Sequence, residues 1–206
     1  VFLADVDMDT TLDVVTSNHG SSNVSVRLGT GNGTFGSVSN YSTGSGSDPI
    51  YLSVVDFTGD SYPDIAVGDA LDAGSVEGIA ILPNNGYGSL SSPPPTLYTQ
   101  PGYLQALHAG DLDGDSDEDL VSINYKFAQA LSIFTNNGSG SFTTNHYTNL
   151  GAGDDCDVID LDGDTDLDIV SIGNYYTYFA ENTGSGSFNA AVVIDHGKPG
   201  NPIAFV

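Results

Sequence analysis

The sequence predicts an all-β protein built from propeller-type repeats of four antiparallel strands. Two short motifs recur four times in the same order, at a spacing of roughly 50 residues, which is the size of one propeller blade. Between them lie short runs rich in β-branched and aromatic residues, bounded by Gly, Asn, Asp and Pro, without helical periodicity. We therefore expect about four blades plus one extra strand, belonging to a larger propeller or to one closed between molecules.

The first motif is a nine-residue acidic loop, whose residues we number as positions 1 to 9. Its four copies, loops 1 to 4, begin at Asp5, Asp56, Asp111 and Asp160. The second motif is a glycine turn, Gly-x-Gly-Ser/Thr-Phe/Leu, which begins at Gly31, Gly86, Gly138 and Gly184. Because the two motifs stay in phase through four copies, they indicate a true structural repeat.

The repeats divide a single predicted domain, 1–206, into blades at about 1–48, 49–102, 103–150 and 151–199. Pro202–Val206 resembles the segment at Pro49 that opens the second repeat, so residues 200–206 are predicted to start a fifth blade. The first strand of blade 1 is already present from Val1, as expected of a mature or excerpted chain. The surplus strand could pair with a neighbouring chain, which predicts self-assembly through terminal strands.

Charge is the most unusual property of the composition. The 206 residues include 27 acidic and three basic side chains, for a formal charge of −24. Such a chain repels nucleic acid and anionic membrane surfaces, and no segment has the length of a membrane span. Seventeen of the acids are aspartates in the loops, four, three, five and five by repeat. Cations bound in the loops would offset their mutual repulsion.

The loops predict calcium because this hard cation takes six to eight oxygen ligands in a flexible shell. Side chains at positions 1, 3, 5 and 9 would supply oxygens, and position 7 a backbone carbonyl. Magnesium prefers a tighter octahedron, and zinc prefers His or Cys. We expect about four calcium ions, one per loop. The predicted ligands are Asp5, Asp7, Asp9, Thr11 and Asp13; Asp56, Thr58, Asp60, Tyr62 and Asp64; Asp111, Asp113, Asp115, Asp117 and Asp119; and Asp160, Asp162, Asp164, Asp166 and Asp168.

The four loops differ in their predicted strength. Loops 3 and 4 carry the most carboxylates, whereas Thr58 gives loop 2 a neutral ligand at position 3. Loop 1 has Met8 at position 4, where the others have glycine, which permits a left-handed bend. A solvated acidic turn is the alternative for each. An EF-hand is excluded because strands follow the loops and position 12 is not Glu but Thr16, Val67, Ser122 or Ser171.

Loops of the form Asp-x-Asp-Gly-Asp-x-x-x-Asp-Leu/Ile-Val followed by Gly-x-Gly-Ser-Phe turns resemble FG-GAP/VCBS repeats, the repeats of integrin-α-like β-propellers. The resemblance extends over essentially the whole chain. It implies calcium loops between adjacent strands of each blade and an extracellular or cell-surface location. The chain departs from the family in its low blade number and at loop position 6, where glycine is replaced by Thr10, Ser61, Ser116 and Thr165.

Together these features predict a non-catalytic, extracellular structural or adhesive propeller, and they are compatible with a subunit of a surface or fibrous assembly. Its partners would be protein or glycan at the cell surface or matrix. No catalytic pattern involves the four histidines, which occupy unrelated repeat positions. The alternatives are a carbohydrate-binding, lectin-like propeller and the non-catalytic repeat region of a larger secreted enzyme. Sequons that are compatible with N-glycans lie at Asn23, Asn32, Asn40 and Asn137.

Overall fold

The computed structural model describes residues 1–44, 48–69, 78–91, 96–99, 102–125, 131–151 and 153–197. These residues form β-strands and no helix, as the sequence predicts. The strands build four sheets, each of four antiparallel strands in sequence order, which is the arrangement of propeller blades. The predicted start of a fifth blade at 200–206 lies outside the described residues.

Each blade is a meander of four consecutive strands. Blade 1 contains β1 (Phe2–Ala4), β2 (Asp13–Asn18), β3 (Asn23–Arg27) and β4 (Ser39–Ser42). Blade 2 contains β5 (Pro49–Val55), β6 (Asp64–Asp69), β7 (Gly78–Leu82) and β8 (Thr96–Thr99). Blade 3 contains β9 (Tyr103–Gly110), β10 (Asp119–Tyr125), β11 (Leu131–Asn136) and β12 (Phe142–Tyr147). Blade 4 contains β13 (Asp155–Ile159), β14 (Asp168–Ile172), β15 (Tyr176–Ala180) and β16 (Val192–Asp195).

Burial decreases from the middle strands of a blade to its last strand. Every residue of β6 and β7 is buried, so both strands consist largely of apolar or small residues. Half-buried and exposed residues mix along β12, and all four residues of β16 are exposed. This gradient explains why the middle strands are continuous apolar runs, which are typical of strands covered on both faces.

The chain separates into two compact units, and each contains two blades. Unit 1 consists of Val1–Gln100 and Gly138–Ser141, and unit 2 of Pro101–Asn137 and Phe142–Val206. Each unit has its own apolar core. The core of unit 1 includes Val15, Val24, Val26, Ile65 and Val67, and that of unit 2 includes Val121, Ile123, Leu131, Ile133 and Ile169.

Strand register places both repeated motifs at the same end of every blade. The acidic loop joins the first strand to the second, and the glycine turn joins the third to the fourth, which in a meander is the same end. The first strand's last residues pair with the position 9 aspartates, in the pairs Ala4–Asp13, Val55–Asp64, Gly110–Asp119 and Ile159–Asp168. None of the described residues forms a helix with the length and hydrophobicity that a membrane crossing requires.

Candidate metal centre

The aspartate at position 9 is buried and fastens the loop to its blade in all four repeats. In loop 3, Asp119 Oδ2 accepts a hydrogen bond from the Leu112 amide at 3.0 Å, and Oδ1 accepts one from the Asn136 amide at 2.7 Å. Asp13, Asp64 and Asp168 accept hydrogen bonds from the two equivalent backbone amides of their own repeats. Each carboxylate oxygen has a second lone pair, so this position can hold the loop and still ligate a cation.

The aspartate at position 1 closes the loop on itself. Asp160 Oδ1 accepts from the Gly163 amide at 2.7 Å, and Oδ2 accepts from the Thr165 amide at 3.1 Å. Asp5, Asp56 and Asp111 likewise accept amides from positions 4 to 6 of their own loops. The local sequence therefore folds the loop by hydrogen bonds between carboxylates and backbone amides, independently of strand pairing.

Positions 4 and 6 are left-handed in every loop. At position 4 the φ angles are +61° for Met8 and between +72° and +86° for the three glycines. At position 6, where the repeats that these loops resemble often carry glycine, φ is +73° for Thr10 and +83° for Thr165, and Ser61 and Ser116 also have positive φ. The departures from glycine therefore leave the bend in place, at the cost of backbone strain in non-glycine residues.

The loops bring the predicted ligands together to different degrees. In loop 1, carboxylate oxygens of Asp5, Asp7 and Asp13 lie within 4.8 Å of one another. The same holds for Asp111, Asp113 and Asp115 in loop 3 and for Asp160, Asp162 and Asp168 in loop 4. No such trio occurs in loop 2, although all of its residues are described. Its position 3 is Thr58, which removes one carboxylate from the set.

Polar oxygen atoms at position 3 suit a bound cation. Asp7 Oδ1 is buried and has no hydrogen-bond partner. Burial raises the pKa of Asp7 and of Asp113, and the neighbouring carboxylates raise both further. Burial likewise raises the pKa of Asp119 to about 6. These groups are ionised at a cost that a cation would remove, and an all-oxygen set fits calcium rather than zinc.

The side chain at position 7 points toward the first glycine of its own blade's turn. A Cβ at Gly86 would collide with the ring of Tyr62, and one at Gly184 would lie 3.3 Å from Asp166 Oδ2. The amide at position 7 donates to the position 5 carboxylate, as in the 2.9 Å bond from Asp117 to Asp115. Ligation through the position 7 carbonyl remains a prediction for Thr11, Tyr62, Asp117 and Asp166.

Sequence reasoning missed a buried asparagine two residues before the glycine turn. Asn84 Nδ2 donates to the Pro63 carbonyl of its own loop at 3.0 Å and to the Val6 carbonyl of loop 1 at 2.6 Å. Asn182 repeats both contacts in unit 2, with Leu167 and Leu112. Aligning the repeats would have revealed it, because Asn84, Asn136 and Asn182 share this position and only blade 1 differs, with Gly29.

Several histidine and serine or threonine side chains outside the loops form hydrogen bonds with one another. Ser132 Oγ lies 2.8 Å from His146 Nδ1 and accepts a hydrogen bond from the side-chain amide of Asn124. Ser132 is fully buried and so inaccessible to a substrate. His196 makes a similar contact with Thr177 at 2.9 Å. The sequon at Asn32 lies on an exposed turn. Cys156 is buried, which raises its pKa.

Comparisons with known proteins find similar repeats in their sequences and similar folds in their structures. The model of the FG-GAP-like repeat family matches residues 5–67 and 111–171. None of the curated proteins compared with the chain matches it. A solved structure of an Agrocybe aegerita lectin, described for specific recognition of non-reducing terminal N-acetylglucosamine, is similar with a TM-score of 0.61 and 21% identity, over 95% of this chain and 51% of the lectin chain. The Photorhabdus luminescens Tc holotoxin pore has a TM-score of 0.47 and 14% identity, over 97% of this chain and 10% of that chain.

The chain spans about half the length of the lectin chain, and their likeness concerns the fold alone. The two regions that match the family model contain all four acidic loops, two in each region, and together they make up more than half of the chain. The chain therefore belongs to the FG-GAP-like repeat family.

Proposed function

We propose that this chain is an extracellular calcium-binding repeat protein with a structural or adhesive role, and that calcium holds the acidic loops of its blades in place. The observation that carries the proposal is the convergence of three carboxylates in loops 1, 3 and 4, each at the same place in its blade. The unpartnered oxygen of Asp7 supports it, because a buried polar atom without a partner is costly.

The ion would neutralise carboxylates that otherwise repel one another. Positions 1, 3, 5 and 9 would hold it, and the position 9 aspartate would connect it to the blade core. A site that is filled at 100 times its Kd stabilises the folded state by about 2.7 kcal/mol. The family is typical of extracellular proteins, where calcium sites are commonly tuned to weak affinity.

A melting experiment tests this proposal. The chain is stripped with a chelator, and its melting temperature and protease resistance are measured with and without millimolar calcium. We expect both to rise with calcium and less with magnesium. Asp162→Asn in loop 4 should reduce the rise, whereas Asp195→Asn, which removes the same charge from the exposed strand β16, should not. Equal melting temperatures with calcium and chelator would contradict the proposal.

Carbohydrate binding is a second candidate, favoured by a cavity of about 310 Å³ in unit 1. Val26 and Leu28 contribute apolar surface, Ser37 and Ser39 contribute hydroxyls, and none of the lining residues is charged in this highly acidic chain. Tyr87 also lines it and is 78% exposed, whereas the equivalent turn residues are Asn32, Ser139 and Ser185. Apolar surface with an aromatic ring and hydroxyls suits a neutral sugar.

Saturation-transfer NMR with neutral methyl glycosides, including the N-acetylglucosaminide recognised by the similar lectin, tests the second candidate. Tyr87→Ser introduces the residue that two other glycine turns carry at this position, and it should abolish saturation transfer to the glycoside. Tyr175→Ser removes another exposed tyrosine, outside the cavity lining, and should leave transfer unchanged. Absence of transfer to the unaltered chain for every glycoside would reject this role.

A further inference from the structure

Loops 3 and 4 have nearly the same sequence but different surroundings. Both read Asp-Leu-Asp-Gly-Asp, and both have aspartate at positions 1, 3, 5, 7 and 9. At position 2, however, Leu112 of loop 3 is 1% exposed and Leu161 of loop 4 is 47% exposed. At position 3, Asp113 is half-buried and Asp162 is exposed. The difference therefore comes from what packs against each loop.

In unit 2, the glycine turn of blade 4 covers loop 3. A Cβ at Gly186 would lie 3.2 Å from the Asp113 Cβ and 3.7 Å from the Leu112 carbonyl oxygen. Asn182, just before that turn, donates to the same carbonyl at 2.8 Å and is 1% exposed. The turn thus holds the backbone of positions 2 and 3, which carries a predicted ligand.

Unit 1 repeats this arrangement in loop 1. A Cβ at Gly88, in the turn of blade 2, would lie 3.5 Å from the Asp7 Cβ. Asn84 donates to the Val6 carbonyl at 2.6 Å, and Val6 is fully buried. Residues Gly138–Ser141 also lie against loop 2, where a Cβ at Gly140 would be 3.0 Å from the Thr58 methyl group. Among the described residues, no glycine turn lies against loop 4 in this way.

We propose that the glycine turn of the following blade completes the calcium loop that it covers, so that within residues 1–206 loops 1 and 3 bind calcium more tightly than loop 4. This inference rests on the proposed calcium binding. Fixing positions 2 and 3 before the ion arrives reduces the ordering that binding must impose. Covering the carboxylates also lowers the local dielectric and strengthens their attraction to the ion. The order reverses the one that aspartate content predicts for loops 1 and 4.

A site-resolved calcium titration by NMR of the whole chain tests the order. Met8, the only methionine, gives a methyl signal for loop 1, and the amides of Gly114 and Gly163 report on loops 3 and 4. We expect loops 1 and 3 to reach half-saturation at a calcium concentration at least tenfold below that of loop 4. Equal half-saturation of loops 3 and 4, or tighter binding by loop 4, would overturn the inference.

Two glycine substitutions isolate the contribution of the cover. Gly186→Ala pushes a methyl group against Asp113, whereas Gly33→Ala makes the same change at the equivalent turn position, where a Cβ would meet nothing within 4 Å. Both glycines have positive φ, +67° and +84°, so both variants carry similar backbone strain. We expect Gly186→Ala to raise the half-saturation concentration of loop 3 at least fivefold without affecting loop 1, and Gly33→Ala to change neither.

The outcomes separate this inference from the proposed function. Saturation of the loops at one common concentration, unaffected by Gly186→Ala, would overturn the role of the cover and leave calcium binding intact. Absence of calcium-dependent shifts at Met8, Gly114 and Gly163 would overturn both. Should Gly186→Ala fail to fold, the order of loops 3 and 4 in the unaltered chain still decides the question.

Discussion

Replacing Asn84 with alanine tests how firmly the second blade is fastened to the first loop within unit 1. The side chain is 4% exposed and makes three hydrogen bonds. Its Nδ2 donates to Val6 at 2.6 Å and to Pro63 at 3.0 Å, and its Oδ1 accepts from the Gly86 amide at 3.2 Å. Alanine removes all three and leaves two carbonyls and one amide without this partner.

The expected loss of stability follows from these three bonds. Each contributes about 1 kcal/mol net, and a buried group left unsatisfied costs about 1–3 kcal/mol. We expect Asn84→Ala to destabilise the chain by about 3–4 kcal/mol, or about 6–16 °C in melting temperature at this chain length. Urea unfolding at a fixed calcium concentration, followed by circular dichroism, measures the free energy of unfolding.

The neighbouring Asn85 provides the control. It is exposed, and its Oδ1 accepts one hydrogen bond, from the Tyr87 amide at 3.1 Å. We expect Asn85→Ala to cost less than about 1 kcal/mol, because an exposed hydrogen bond is readily replaced by water. If the two variants unfold at the same urea concentration, Asn84 does not fasten the blades.

Three further changes test the energetics of the fold and the loops. Burial, followed by the charge of Asp48, raises the pKa of Asp69 to about 6, so this carboxyl should make stability fall as the pH rises from about 4 to about 6. Asp69→Asn should remove this share of the fall and be about 3 kcal/mol more stable at pH 7.5 by linkage. Urea unfolding of both proteins at pH 4 and pH 7.5 measures it, and an equal change of stability with pH in the two proteins would contradict it. Thr165→Gly should raise stability by about 0.5–1 kcal/mol, because the relief of left-handed strain at φ +83° outweighs the greater entropy that glycine gives the unfolded chain. A lower melting temperature of the variant would show that the bend is unstrained. The raised pKa of Asp119 is about 6 without calcium. Calcium affinity at loop 3 should therefore fall roughly tenfold from pH 7.5 to pH 5, because protons compete with calcium for this carboxylate. Calorimetric titration at both pH values measures the affinity, and equal affinities would argue against ligation by Asp119.

The strands and their order could be predicted from the sequence because each blade is a local meander. The apolar runs after the acidic loops and before the glycine turns became the second and third strands, as at β10 and β11. The last strand is harder to place from the sequence. A largely apolar run extends from Phe188 to Ile194, but Phe188 forms only an isolated bridge with Asn182, and β16 begins at Val192. Its residues are exposed, so no burial pattern marks the boundary.

The acidic loops could be located from the sequence, but their differences could not be. Counting aspartates ranks loop 4 with loop 3, whereas burial separates Leu161 from Leu112. The dual role of the position 9 aspartate was also hidden, because its amide partners lie up to 20 residues away, as in the bond from Asn84 to Asp64. Such contacts depend on how strands and blades pack, and loop composition does not encode them.

The tyrosines of blade 4 show the same limitation. Alternation along β15 predicts one buried and one exposed face, and the structure buries Thr177 rather than the tyrosines beside it. Tyr175, Tyr176 and Tyr178 pack on one another, with ring centroids 6.3 and 6.1 Å apart. Residue type alone therefore does not identify the buried face of this strand.

Counting bound calcium ions tests the central claim most directly. The chelator-stripped chain is dialysed against radioactive calcium at pH 7.5 over a range of free concentrations, and bound calcium is measured per mole of protein. We predict saturation near four ions per chain, the last of them at the highest calcium concentrations, and loss of one ion in Asp162→Asn. Fewer than one ion per chain at millimolar calcium would contradict the account.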